Sequence, residues 1–135
     1  MGDFKKLTLI LDTNVIINFG EENIDRLGEG LFNELATQPV LVHPVSYYEI
    51  IWKHGKGRLC LNKPVDKWID LLRKIPTLRE IKLNWEDFFI AASFDYPEND
   101  PMDRLIVAAA KIRGLTIVTS DRTMIDFKGV DTIGF

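Results

Sequence analysis

The chain has 135 residues, a length that suits one domain over positions 1–135 and can bury a core without disulfides or a structural metal. Hydrophobic residues make up 46% and charged residues 27%, and no apolar run nears the ~20 residues that cross a bilayer, which excludes a membrane-spanning or disordered chain. The formal net charge of −3 does not advertise a nucleic-acid binder, although divalent cations held by clustered acids would reverse its sign.

The start, Met1-Gly2-Asp3-Phe4-Lys5-Lys6, passes straight into a strand-like run with no apolar leader and cleavage site, so no signal peptide is read there. Thr8–Leu11 is the first predicted strand, and Asp12 follows it directly. A short helix is expected over Asn14–Phe19, then one over Asp25–Ala36. Val40–His43 reads as the second strand. Ser46-x-x-Glu49 has capping-box spacing and opens the next helix. Cys60 is the only cysteine, a small core or surface residue that suits a reducing cytoplasm. Pro64 to Lys74 carries Val65, Trp68, Ile69, Leu71 and Leu72 at the spacing of an amphipathic helix. Glu80–Leu83 reads as the third strand, and Asn84 starts a helix that runs to about Phe94. Asp100 is an N-cap before Pro101 at the first helical position. The apolar stretch Leu105–Ala110 should be a buried helix ended by Gly114. Thr116–Thr119 is the fourth strand, followed by Asp121, and Thr132–Gly134 a fifth. Strands alternating with helices argue for an α/β fold around a mainly parallel sheet.

In such sheets ligand chemistry gathers beyond the carboxyl ends of the strands. Asp12, Glu49, Asp103 and Asp121 all fall at or near such positions. Each has a local explanation. Asp12 and Asp121 suit turns or caps, Glu49 a capping box, and Asp103 the first turn of a helix, where the dipole favours an acid. Their joint placement is not explained that way. Four carboxylates brought together repel one another unless a cation holds them, and hard divalent metals take oxygen ligands. The pattern points to a Mg²⁺ or Mn²⁺ site suited to phosphodiester chemistry. Asn14 and Asp126 are secondary candidates at the same centre, either of which could instead serve a helix.

Lys53, Lys56 and Arg58, with His54, form the clearest basic cluster. It reads either as cations at a helix C-terminus or as a rim that steers phosphates, and Arg122 is a further contact candidate. Trp52, Trp68 and Trp85 could stack bases, but at helical spacing among apolar neighbours they read as core or interface residues. A metal-activated water needs no histidine base, so His43 and His54 are not read as catalytic.

These segments resemble the motifs of PIN-domain ribonucleases. Leu11-Asp12-Thr13-Asn14-Val15-Ile16-Ile17 is similar to the opening motif, and Val45-Ser46-Tyr47-Tyr48-Glu49-Ile50 to the second. Asp100-Pro101-Met102-Asp103-Arg104 with Leu105–Ala110 is similar to the third and is the most specific. Val118-Thr119-Ser120-Asp121-Arg122 is similar to the fourth. The likeness runs from about Leu7 to Phe127 and is strongest to the compact VapC toxins of toxin–antitoxin pairs, whose post-helix segment Ile51–Leu59 also resembles. It implies a three-layer α/β/α fold with a sheet of four to five strands and helices on both sides. It implies Mg²⁺- or Mn²⁺-dependent cleavage of RNA by an acidic quartet of Asp12, Glu49, Asp103 and Asp121. Asp12 would be the central ligand, with Glu49 completing the shell. It further implies a cognate antitoxin partner seated on the early helices around Ile17, Phe19, Ile24, Leu27, Leu31, Phe32 and Leu35, and a homodimer. One departure stands out: Tyr96-Pro97-Glu98-Asn99 occupies the stretch where many of these toxins carry histidines.

Other classes fit less well. A phosphoacceptor receiver needs an acid pair after the first strand, where this chain has only Asp12. A haloacid-dehalogenase-like phosphatase needs a second Asp where Asn14 stands. No phosphate-binding glycine motif occurs. A non-catalytic PIN-like module that binds RNA or protein is the alternative reading.

Overall fold

The computed structural model describes residues 8–135. The leader-free reading of Met1–Lys6 and the Leu7 edge of the motif likeness lie outside them. Five three-residue strands form the sheet: β1 (Leu9–Leu11), β2 (Val40–Val42), β3 (Leu78–Glu80), β4 (Thr116–Val118) and β5 (Asp131–Ile133). Their order is β3-β2-β1-β4-β5 and every pairing is parallel. Ile10 is the register centre, paired with Leu41 on one side and Ile117 on the other.

Side chains along the central strands alternate between two cores, as a strand's period of two requires. Leu11, Val40, Val42 and Val118 pack with Val15, Ile16 and Phe19 of α1 (Thr13–Gly20), Leu27 of α2 (Ile24–Leu27), Leu35 of α3 (Glu29–Thr37), Ile50 of α4 (Val45–Gly55), and Trp68 and Leu72 of α5 (Val65–Arg73). Ile10 and Ile117 point the other way, toward Val107, Ala109 and Ala110 of α7 (Pro101–Arg113) and Met124 of α8 (Arg122–Asp126). Helix α6 (Trp85–Ser93) packs along α7. The result is the three-layer arrangement expected for apolar strands covered on both faces. Full burial of side chains such as Ile10, Leu11 and Ile117 contributes about 1.5–3 kcal/mol each.

Helix α7 forms as its sequence dictates. The Asp100 carboxylate accepts the Met102 N–H at 2.9 Å, Pro101 occupies the first turn, and Gly114 closes the helix at φ +66°. Three expectations shift. The helix expected over Asp25–Ala36 is split into α2 and α3 by Gly28, whose φ of +85° suits only glycine. β3 lies earlier than Glu80–Leu83, because its partner β2 ends at Val42 before His43-Pro44. Ile81 donates to the Val42 carbonyl at 3.0 Å and then leaves the ladder, while its side chain stays in the second core. The Ser46–Glu49 capping box does not form. Helix α4 begins at Val45 behind Pro44, and His43 Nδ1 accepts the Val45 N–H at 2.9 Å. Ser46 is therefore inside the helix and Glu49 lies beyond its first turn.

The early helices turn their apolar side inward. Phe19, Leu27 and Leu35 are buried, leaving Ile24 as the large apolar residue exposed there. The broader exposed apolar surfaces are Trp85, Phe88 and Phe89 on α6, and Tyr48, Ile51 and Trp52 on α4. Of the three tryptophans, only Trp68 is core, with Nε1 donating to Glu21 at 2.8 Å. No helix among the described residues is long and apolar enough to cross a membrane.

Candidate metal centre

From the central β1 the chain builds outward to β2 and β3, then crosses to β4 and β5 on the other side. The reversal leaves a crevice beyond the carboxyl ends of β1 and β4, the point where α/β sheets bind ligands. Asp12 leaves β1 into this crevice, and Thr119 and Asp121 leave β4 beside it. Glu49 reaches in from α4 and Asp103 from the first turn of α7.

Asp12 is buried and held on both oxygens. Oδ1 accepts the Thr13 N–H at 2.7 Å, and Oδ2 accepts the Thr119 hydroxyl at 2.7 Å. Thr119 Oγ1 also accepts the Asp121 N–H at 2.9 Å, so one buried hydroxyl ties the ends of β1 and β4 together. Asp121 caps α8, accepting the N–H groups of Thr123 at 2.8 Å and Met124 at 3.2 Å. Glu49 is buried. Its Oε2 pairs with Lys53 Nζ at 2.7 Å, and its Oε1 is buried with no partner. Ser46 and Thr13 share a hydroxyl hydrogen bond of 2.9 Å that fixes α4 against the start of α1. Thr119 was not among the residues the sequence pattern singled out. A threonine in a strand-end run reads as an ordinary strand residue, and only the pairing of β1 with β4 reveals its role.

The acids feel one another. Burial raises the Asp12 carboxyl above the ordinary carboxylate range against its hydrogen bonds from Thr119 and Thr13, and the charges of Glu49 and Asp121 push it further up. Asp103 is raised to about 7, first by burial and then by Asp100, Asp12, Glu49 and Asp121. Like charges nearby add to the effect of burial, since each disfavours the ionised form of the other. Among the described residues, no three acidic, histidine or cysteine side chains already stand as a ready cation cluster. Part of the donor set is already in use: Lys53 pairs with Glu49 Oε2, Thr13 and Thr119 hold the two Asp12 oxygens, and Asp121 Oδ1 caps α8. The donor chemistry nevertheless fits a hard divalent cation, since every group offered is an oxygen and Glu49 Oε1 is a buried acceptor with nothing to accept.

The secondary candidates separate. Asn14 is exposed and lines a groove with Asn18, Arg26, Ser120 and Phe135, next to Asp12 and Asp121 in sequence. Asp126 ends α8 exposed to solvent, and it is not among the charges acting on Asp12 or Asp103. Lys53 is engaged with Glu49 rather than standing on an open rim. Lys56 and Arg58 are exposed and lie over the Trp52 ring, at 5.8 and 5.4 Å from its centroid, and Arg122 is exposed at the start of α8. His43 is fully buried, and burial lowers its imidazole to about 4, so it is neutral at physiological pH.

The PIN domain family model matches residues 9–130. No curated protein sequence matches the chain. Similar solved structures include VapBC2 from Rickettsia felis bound to a DNA fragment from their promoter, 14% identical over 93% of this chain and 97% of that one, with a TM-score of 0.66. DNA-bound VapBC from Salmonella typhimurium is 17% identical over 96% and 98%, with a TM-score of 0.65. A toxin–antitoxin complex from Klebsiella pneumoniae is 15% identical over 95% and 100%, with a TM-score of 0.62. At these identities the likeness speaks for the fold.

Proposed function

The chain belongs to the PIN-domain family, and from that we propose that it is a Mg²⁺- or Mn²⁺-dependent endoribonuclease, the toxin of a toxin–antitoxin pair. What supports the proposal is that Asp12 and Asp103 are raised by burial first and then by charges that include Glu49 and Asp121, which is what four acids near the ends of β1 and β4 would produce. Asp12, Asp103 and Asp121 would hold the cation, with Glu49 completing the shell once released from Lys53. When bound, the cation supplies a lowered pKa for an attacking water and charge stabilisation for the leaving oxygen. The protein's own contribution is positional. Thr119 and the Thr13 N–H hold Asp12 ionisable and fixed, and Thr119 keeps the turn to Asp121 in register. The polar groove of Asn14, Asn18, Arg26 and Ser120 offers phosphate contacts beside the acids. Lys56, Arg58 and Arg122 would steer the RNA backbone, with Trp52 as a stacking surface.

Toxin–antitoxin complexes among the similar structures support an antitoxin as the protein partner. The motif resemblance also implies self-association, and the exposed apolar faces of α4 and α6 are surfaces available for either. Cys60 is free and exposed, in keeping with a reducing cytoplasm. One observation favours a second reading, a non-catalytic RNA- or protein-binding module: the Lys53–Glu49 pair already neutralises one acid of the quartet.

The deciding experiment incubates purified protein with a mixed RNA pool and Mg²⁺ or Mn²⁺, beside an EDTA control and Asp12→Asn. Cleavage that needs metal and disappears in the variant supports the enzyme. Equal cleavage by both proteins identifies a contaminant and defeats the assignment, and RNA binding without cleavage favours the binding module.

A further inference from the structure

The groove beside the acids is a defined cavity. Asn14 and Asn18 of α1, Arg26 of α2, Ser120 between β4 and α8, and Phe135 line a space of about 300 Å³. Asn14 stands two residues after Asp12, and Ser120 directly precedes Asp121, so the cavity adjoins the acidic centre. Its volume lies at the small end of the roughly 300–1,000 Å³ typical of ligand clefts.

The position of Arg26 is fixed by a chain of asparagines. Asn23 caps α2, and its side-chain oxygen accepts the Arg26 N–H at 3.4 Å. Asn23 Nδ2 donates to Asn18 Oδ1 at 3.2 Å, and the Asn23 backbone N–H donates to the Asn18 carbonyl at 2.8 Å. Asn18 Nδ2 in turn donates to the Asn14 carbonyl at 2.9 Å. The connection from α1 to α2 passes through Glu22 at φ +55°, a left-handed conformation that costs energy for any residue with a side chain. Such strain persists where the surroundings over-determine it, and it gathers at ligand sites. Here the strained turn brings α2 back against α1 and sets Arg26 on the same cavity as Asn14 and Ser120.

The chemistry of the lining is specific. It holds one charge, the Arg26 guanidinium, and one aromatic ring, the exposed Phe135. Among the described residues Arg26 is in no ion pair. A guanidinium meets a phosphate with paired hydrogen bonds, and an aromatic ring takes the face of a base. Asn14 and Ser120 are exposed beside them and add uncharged hydrogen-bonding groups. A base inside a duplex has its faces covered by its neighbours, so a ring in a small cleft can receive only an unpaired one.

We propose that this groove seats the nucleotide next to the cleaved phosphodiester, with its phosphate on Arg26 and its unpaired base on Phe135. The inference rests on the ribonuclease reading above and adds to it that the RNA is single-stranded at the point of cleavage.

The test reads binding, not cleavage. Arg26→Ala and Phe135→Ala are each made in an Asp12→Asn background, which prevents cleavage. A short single-stranded RNA is titrated by anisotropy over a range of salt, beside the same RNA annealed to its complement. Phe135→Ala should weaken single-strand binding by about 10-fold, the loss of one stacked base, and leave the salt slope and duplex binding as they were. Arg26→Ala should lower the slope of log affinity against log salt by about 0.7, the loss of one phosphate contact. Melting temperatures in EDTA should stay level, since both side chains are exposed, and a drop of several degrees would mark a structural role and overturn the assignment. Parental affinity and slope in both variants would remove the nucleotide from this groove and leave the ribonuclease reading standing. An equal loss on single strand and duplex would overturn the base contact. If the parent binds no RNA and the wild type cuts none, the ribonuclease reading itself fails and the proposal goes with it.

Discussion

Asp103→Asn should stabilise the metal-free protein while abolishing the proposed metal-dependent cleavage. Asp103 has its folded-state carboxyl raised from 3.8 to about 7, by burial first and by four neighbouring acids after it. Asparagine keeps the shape and removes the charge, and no hydrogen bond to the side chain is lost with it. The sign follows from linkage: a raised carboxyl contributes stability that is full below about pH 3.8, declines as pH rises, and is gone above about pH 7. Three units at about 1.4 kcal/mol each set a ceiling near 4 kcal/mol. Asp103 is partly open to solvent, and screening there cuts this to about 2 kcal/mol. For a domain of this size that is a rise in Tm of roughly 6 °C at pH 8. The assay is a pair of melts in EDTA, at pH 8 and pH 4.5, on wild type and variant. The gain should shrink to below about 1 kcal/mol at pH 4.5, where the wild-type carboxyl is protonated in the fold. A variant that is less stable at pH 8, or equally stabilised at both pH values, would refute the picture of acids crowded into one crevice.

Lys53→Met removes the 2.7 Å partner of a buried carboxylate, so stability in EDTA should fall by about 1–3 kcal/mol. Mn²⁺ should then bind more tightly, because lysine no longer competes for Glu49; calorimetry showing weaker binding would contradict the role given to this pair. Arg104→Lys cannot reproduce the planar fork on the carbonyls of Ala91, Phe94, Tyr96 and Glu98 and should cost about 2–3 kcal/mol in urea melts, whereas a loss under about 0.5 kcal/mol would mean that the fork is slack. Replacing Lys56 and Arg58 together by Ala, in an Asp12→Asn background to prevent cleavage, should weaken binding of single-stranded RNA. The slope of log affinity against log salt should fall by about 1.4, and an unchanged slope in anisotropy titrations would remove these cations from the RNA path.

Much of the architecture could be read from local pattern, because a residue's neighbours along the chain decide it. The apolar runs before Asp12 and Asp121 can satisfy their side chains only as strands buried on both faces, and they became β1 and β4. Asp100, Pro101 and Gly114 carry their conformational preferences with them and bound α7 as expected. The acids were legible for the same reason, each following a strand or standing early in a helix. What failed locally failed where two signals compete within a few residues. At Ser46–Glu49 the capping spacing lost to His43, whose ring nitrogen reached the Val45 N–H first. At Gly28 a single left-handed residue divided what periodicity made continuous.

The chemistry of the centre was a different matter, since it depends on contacts between residues far apart in the chain. Thr119 meets Asp12 across 107 positions, through the pairing of β1 with β4. Lys53 looks like a rim cation in sequence, yet one turn of helix sets it on Glu49. Tyr96 reads as one loop aromatic among several until packing by Phe94 and Phe127 buries its hydroxyl without a partner. Sequence alone determined which acidic side chains this protein offers just beyond its strands and along its helices. Only the tertiary structure decided which are held, which are neutralised and which are left seeking a partner, because burial and charge act through space and not along the chain.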